Sequence, residues 1–359
     1  MIKPRQLHRG DTIAVVSPSS GAASRFPHVL DDGLTVLRDY FGFRILEYPT
    51  ARMGGKELHE NPKLRADDIN EAFGNPEVKG IIATIGGDDS VRLLQYLDIG
   101  RIKTNPKLIM GYSDTTTILS YLNLNGLATY YGSSIMAGFG YLRCFPEAME
   151  EYRKVLLDKT SYEIQPFGSW ADGYKPWGEK ENAGIVAETR NDDLGHHWIN
   201  KGKTIRGKLW GGCMEVLEMM KGTFAWPDLD FWNDRILFLE TSEDKPSPLQ
   251  VSYALRNYGI QGILTRISAL MLARPKAYSK EEKLELESLV KKVVIGEFGR
   301  SDLNIIANAD FGHTDPRHIM PYGIDLRLEP ESEKMIFVES LFADEPDEPA
   351  TAAPSHRSP

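Results

Sequence analysis

At 359 residues the chain exceeds one average domain length, and its 41% hydrophobic and 26% charged content, with 32 Gly and 21 Pro, excludes collagen, a coiled coil and a wholly disordered chain. Its 42 basic against 51 acidic residues give a formal net charge of −9 with no basic cluster, which argues against a nucleic-acid polymer or an anionic membrane as partner. Two cysteines, Cys144 and Cys213, are too few for a disulfide framework and cannot alone make a structural zinc site, so a reducing compartment is expected.

The opening MIKPRQLHRGD lacks the apolar core of a signal peptide, and no run reaches the roughly 18 apolar residues of a membrane span; the expectation is a cytoplasmic protein. From Thr12 onward short apolar runs alternate with helix-period segments, the pattern of βα units around a parallel sheet. Strands are predicted at 12–17, 43–48, 80–85, 107–111 and 128–132, and helices around 27–41, 62–73, 89–97, 114–123 and 146–157. A polar stretch with tryptophans at 170, 177 and 198 follows, without clear period over 161–184, and reads as a long functional loop. Regular structure resumes with strands at 204–210, 235–240 and 267–273, helices at 213–221 and 248–258, and a helix opened by the capping box Ser279-x-x-Glu282. The chain thus divides into an N-terminal α/β domain with a parallel sheet (1–160), a Trp-bearing loop region and linker (161–203), a C-terminal mixed α/β domain (204–342) and a Pro-rich acidic tail, expected to be disordered (343–359).

Ser113, in KLIMGYSDTTTILSYL, sits after an apolar strand and just before a helix, the setting of a nucleophile elbow. There the N–H of Asp114 can face a developing oxyanion. Gly111 fills the first glycine slot of G-x-S-x-G, but Thr115 occupies the second, and a plain serine N-cap is the alternative. In IIATIGGDDSVRLL a strand runs into Gly86-Gly87 and a helix capped by Asp88 or Asp89; the glycines let a backbone approach a ligand, or simply make a tight turn. Glu240 ends an apolar strand and His313 lies in a loop just after another, so both can reach one crevice with Ser113. His313 then serves as general base and Glu240 orients it. Asp192, Asp193, His196 and His197 imitate a metal site but read better as an exposed polar loop, and Cys213 reads as a buried small hydrophobe rather than a reactive thiol.

Taken in order, GDTIAVVSPSS, GIIATIGGDDSVRLL, GYSDTT, KLWGGCMEVLEMMKGT, LFLETSED and NADFGHTDP resemble the LD-carboxypeptidase and microcin C7 self-immunity family of serine peptidases. The resemblance implies a flavodoxin-like N-terminal domain joined to a mixed C-terminal domain, commonly as a homodimer, with no metal or organic cofactor. It implies Ser113 as nucleophile, Glu240 and His313 as its partners, and Gly87, Asp88 and Asp114 around the oxyanion and substrate. Within the family, SWADGYKPW is similar to the loop with which the immunity branch covers an adenine; this points to an acidic aminoacyl group amide-linked to a nucleotide-like moiety as substrate. Trp177 is the expected stacking residue and Trp170 the runner-up. Removal of D-alanine from a muropeptide tetrapeptide is the alternative activity. Outside the family, an esterase of α/β-hydrolase type or a non-enzymatic small-molecule binder are the competing readings. Cys213 stands where the family commonly has Asn, a departure at a substrate contact.

Overall fold

The structure is a computed structural model that describes residues 1–158, 162–192 and 194–343. Five strands form the first sheet in parallel: β1 (Thr12–Val16), β2 (Arg44–Glu47), β3 (Val78–Ala83), β4 (Leu108–Gly111) and β5 (Tyr130–Tyr131). Their spatial order is β5-β4-β3-β1-β2, the flavodoxin-like arrangement, in which the order reverses between β1 and β3. β1 and β4 are buried along their whole length, which is why they read as unbroken apolar runs. Helices Pro27–Thr35, Pro62–Gly74 and Pro146–Leu157 each start on a proline, whose missing N–H costs nothing in the first turn.

The predicted helix at 89–97 is instead a 3₁₀ segment, Ser90–Tyr96. Neither Asp88 nor Asp89 caps it with its side chain: the Asp89 carboxylate pairs with Arg65 (2.5 Å) and Arg92 (2.9 Å). The cap comes from far away, because the buried Asp114 carboxylate accepts the N–H groups of Asp89 (3.1 Å) and Ser90 (2.9 Å).

The second sheet carries β9 (Ile205–Cys213), β10 (Arg235–Glu240), β11 (Ala269–Ala273) and β12 (Asn304–Ala309) in parallel. Antiparallel strands complete it: β8 (His197–Asn200) on β12, and β14 (Asp325–Glu329) with β15 (Lys334–Phe337) beyond β9. Helices Pro248–Ile260 and Lys280–Lys291 both open on complete capping boxes, Ser247 with Gln250 and the predicted Ser279 with Glu282.

Three features depart from the segment-by-segment reading. The stretch 161–203 is more than loop and linker: β6 (Ser169–Ala171) and β7 (Thr189–Asn191) form a two-stranded ribbon, and β8 is an edge of the second sheet. The chain after β12 returns to the first sheet, where β13 (Met320–Pro321) pairs antiparallel with β5. Ala343, the first residue of the expected tail, donates its N–H to the Pro4 carbonyl (2.8 Å), while residues 344–359 and the 160/161 boundary lie outside the described residues. Such pairings join residues far apart in sequence and leave no local periodicity to read. Among the described residues no helix is long and apolar enough to cross a membrane.

Candidate active site

Ser113 follows β4 through the extended Tyr112 and adopts φ +58°, a left-handed conformation in which a non-glycine residue is held under strain. The surroundings make room for it. A Cβ on Gly86 would lie 2.7 Å from the Ser113 Cβ, and one on Gly111 would lie 2.8 Å from Thr115 Cγ2. Gly111 thus supplies the close approach of the elbow, and Thr115 fits in the second glycine slot because the turn continues into helix Thr116–Leu124. Ser113 caps nothing with its side chain: its Oγ lies 3.2 Å from Nε2 of His313.

His313 and Glu240 arrive from the carboxyl ends of β12 and β10. Nδ1 of His313 is 2.7 Å from Glu240 Oε2, and both residues are buried. A Cβ on Gly312 would meet the Glu240 side chain at 2.7 Å, so FGHT needs its glycine to bring the imidazole home. Two further residues belong here that the sequence did not announce. Tyr131 on β5 donates its hydroxyl to Glu240 Oε1 (2.5 Å) and accepts the Ser113 N–H (3.2 Å). Burial first, then the Glu240 carboxylate, push the Tyr131 phenol far up, so it remains a donor. Glu243, three residues past Glu240, places Oε2 2.9 Å from His313 Nε2, on the same nitrogen that faces Ser113.

Burial opposes charge on His313, but Glu240 and Glu243 outweigh it and hold the imidazole up to about 9. The hydrogen bond from His313 in turn pulls the Glu243 carboxyl down to about 2. Before substrate arrives, the imidazole is therefore an imidazolium shared between two carboxylates.

Above Ser113 opens a pocket of about 270 Å³ lined by Gly86, Gly87, Tyr112, Tyr174, Trp177 and Lys276, with Ser113, Glu243 and His313 at its edge. Gly87 packs on Ser19, where a Cβ would meet Oγ at 2.2 Å. Trp177 is half-buried; its Nε1–H donates to Tyr141 Oη (2.6 Å), its ring lies nearly parallel to Tyr174, and Phe26 meets it edge-on. Trp170 does not line this pocket. It is buried under the cations of Arg190, Arg274 and Lys283, each within 5.3 Å of its ring. Asp88 is exposed and outside the lining. Cys213 is buried, and burial pushes its thiol well up, as fits a small hydrophobe.

The segment read as an exposed polar loop docks instead. Asp192 pairs with Arg274 (2.6 Å), the His196 imidazole is 4% exposed and faces Asp310, and His197 is exposed and meets Glu287; Asp193 lies outside the described residues. Its polar composition hid a burial that depends on charges elsewhere.

A serine, a carboxylate and a histidine in this chain order, converging at the carboxyl ends of parallel strands, make the constellation of a serine peptidase. The sequence profile described as LD-carboxypeptidase N-terminal domain matches residues 13–132, and that described as LD-carboxypeptidase C-terminal domain matches residues 206–328. The chain belongs to this family, Peptidase S66. The microcin C7 self-immunity protein MccF of Escherichia coli is 26% identical over 94% of this chain and 95% of its own. The murein tetrapeptide carboxypeptidase of Pseudomonas aeruginosa is 26% identical over 59% of this chain and 61% of its own. Among solved structures, an MccF-like protein of Streptococcus pneumoniae in complex with AMP superposes with TM-score 0.80 at 26% identity, over 91% of this chain and 98% of that one.

Proposed function

We propose that the protein hydrolyses an amide between an aminoacyl group and a nucleotide-like moiety, with Ser113 as nucleophile, His313 as general base and Glu240 orienting the imidazole. The carrying observation is that Trp177 and Tyr174 share one pocket with Ser113 and His313, offering flat aromatic surface within reach of the reacting bond. The AMP held by the Streptococcus pneumoniae relative supports a nucleotide occupant. In this reading Ser113 Oγ gives its proton to His313 Nε2 as it attacks the carbonyl carbon, and the N–H groups of Gly87 and Asp114 receive the oxyanion. His313 then protonates the leaving nitrogen, and water releases the acyl group. Lys276 is the cation of the pocket, suited to a phosphate or carboxylate of the substrate. A homodimer in the cytoplasm, built of the two domains described, completes the proposal.

The Pseudomonas aeruginosa relative keeps a second reading open, cleavage of the terminal D-alanine of a muropeptide. The two separate by direct comparison: kcat/KM measured on an aspartyl-nucleotide amide and on a murein tetrapeptide is expected to favour the first. Preference for the tetrapeptide reverses the assignment.

Glu243 makes a further expectation. An imidazole held up to about 9 is protonated at neutral pH and cannot act as base, so kcat/KM should climb with pH toward that value. Glu243→Gln removes one of the two carboxylates that raise it, and the acidic limb of the kcat/KM profile should move to lower pH. A limb that stays in place removes Glu243 from contact with His313 in solution.

A further inference from the structure

Behind the His313 loop lies a second cluster of titratable groups, separate from the triad. His196, Asp310 and His318 bring their ligand atoms within 4.8 Å of one another, and all three side chains are buried. Asp310 directly follows β12 and His318 precedes β13, so the two bracket the loop that carries His313. We propose that His196, Asp310 and His318 bind one divalent zinc-type ion, which ties the His313 loop to the segment entering β8.

Three observations carry it. First, His318 is oriented as a ligand: Glu151 engages its Nδ1 at 2.8 Å and Tyr162 lies near the same atom, while Nε2 is buried and meets no hydrogen-bond partner among the described residues. A carboxylate on one imidazole nitrogen with the other left over is the arrangement by which proteins fix the tautomer of a metal-binding histidine. Second, His196 Nε2 lies 3.2 Å from Asp310 Oδ2, a spacing common to two ligands on one small ion. A proton on His196 Nε2 would satisfy its contact with Asp310, whose Oδ2 also accepts the Phe167 N–H (3.0 Å) and whose Oδ1 meets Arg274 (2.6 Å), but would leave His318 Nε2 without a partner; an ion engages that nitrogen as well. Third, the charge is complementary. Asp310 and Asp192 share the Arg274 guanidinium while Glu151 pairs with His318, so carboxylates outnumber the arginine around the cluster.

The donor set is two imidazoles and a carboxylate, which suits zinc and its neighbours over calcium or magnesium. Glu151, Tyr162 and Phe167, which all touch His318, also line an open pocket of about 440 Å³ that contains Glu147, Glu150 and Glu163.

The test titrates chelator-stripped full-length protein with Zn²⁺ by calorimetry and thermal melting. One equivalent should bind and the melting temperature should rise, in wild type and in His313→Ala alike. His196→Ala and His318→Ala should each lose both effects. No stoichiometric binding by the wild type overturns the proposal; so does loss of binding in His313→Ala, which would assign the ion to the triad instead. Should the two histidine variants fail to fold, anomalous scattering from cobalt-loaded wild-type crystals decides: a peak at His196 and His318 supports the site, and a peak elsewhere or none rejects it. Neither arm depends on the hydrolytic reading.

Discussion

Ser113→Ala is expected to abolish turnover while leaving the melting temperature near that of the wild type. The substitution removes only Oγ, whose one described contact is His313 Nε2 at 3.2 Å, and keeps the Cβ that already fits against Gly86. Backbone strain at φ +58° is about the same for Ala as for Ser, so the fold loses little. Loss of a nucleophile acting in a triad costs on the order of 10⁴- to 10⁶-fold in kcat. His313→Ala should fall in the same range. Glu240→Gln should be milder, because the third member positions the imidazole and the Tyr131 hydroxyl still finds an acceptor there. Retained turnover in Ser113→Ala, measured on a sample whose active serine no longer reacts with a fluorophosphonate, excludes the triad.

Trp177→Ala should lower kcat/KM for an aspartyl-nucleotide amide by about 5- to 150-fold, the equivalent of ~1–3 kcal/mol of base stacking. The same change should barely affect an aspartyl amide that lacks a base, since Ser113, His313 and Glu240 are untouched. The ratio between substrates is the measurement. Trp177 also anchors its own loop, through Nε1–H to Tyr141 and its carbonyl to His28, and a collapsed loop would damage both substrates alike. Trp170→Ala is the contrasting variant. Its indole is packed beneath three cationic side chains, so melting should suffer and base preference should not. No loss on either substrate in Trp177→Ala would remove Trp177 from the base site and favour the muropeptide reading.

What the sequence revealed follows from how each part is encoded. Buried parallel strands are apolar along their length, and several helices begin on proline or serine boxes, so β1, β3, β4, β10 and the helices that open on Pro27, Pro62, Pro146, Ser247 and Ser279 could be read locally. GYSD and FGHT mark the strand-end loops of Ser113 and His313 for the same reason. Tyr131 was hidden because its role comes from lying on the strand beside β4, and Glu243 because an exposed acid three residues from Glu240 looks like any surface charge. The burial of His196 leaves no local trace, because its partner Asp310 lies more than a hundred residues away. β13, two residues long, has no periodicity at all.

That short strand has a practical consequence for anyone dividing or recombining this protein. β13 pairs with Tyr130 and Tyr131, so the second half of the chain finishes the sheet of the first, and Tyr131 in turn reaches both Ser113 and Glu240. A fragment ending at residue 158 would leave the β5 edge bare, with two buried aromatic residues beside an open row of backbone donors and acceptors. A chimera joined in the 162–200 region would import a foreign edge strand along with a foreign histidine loop. Grafts between relatives should therefore carry β5 and residues 310–321 as one heritable unit.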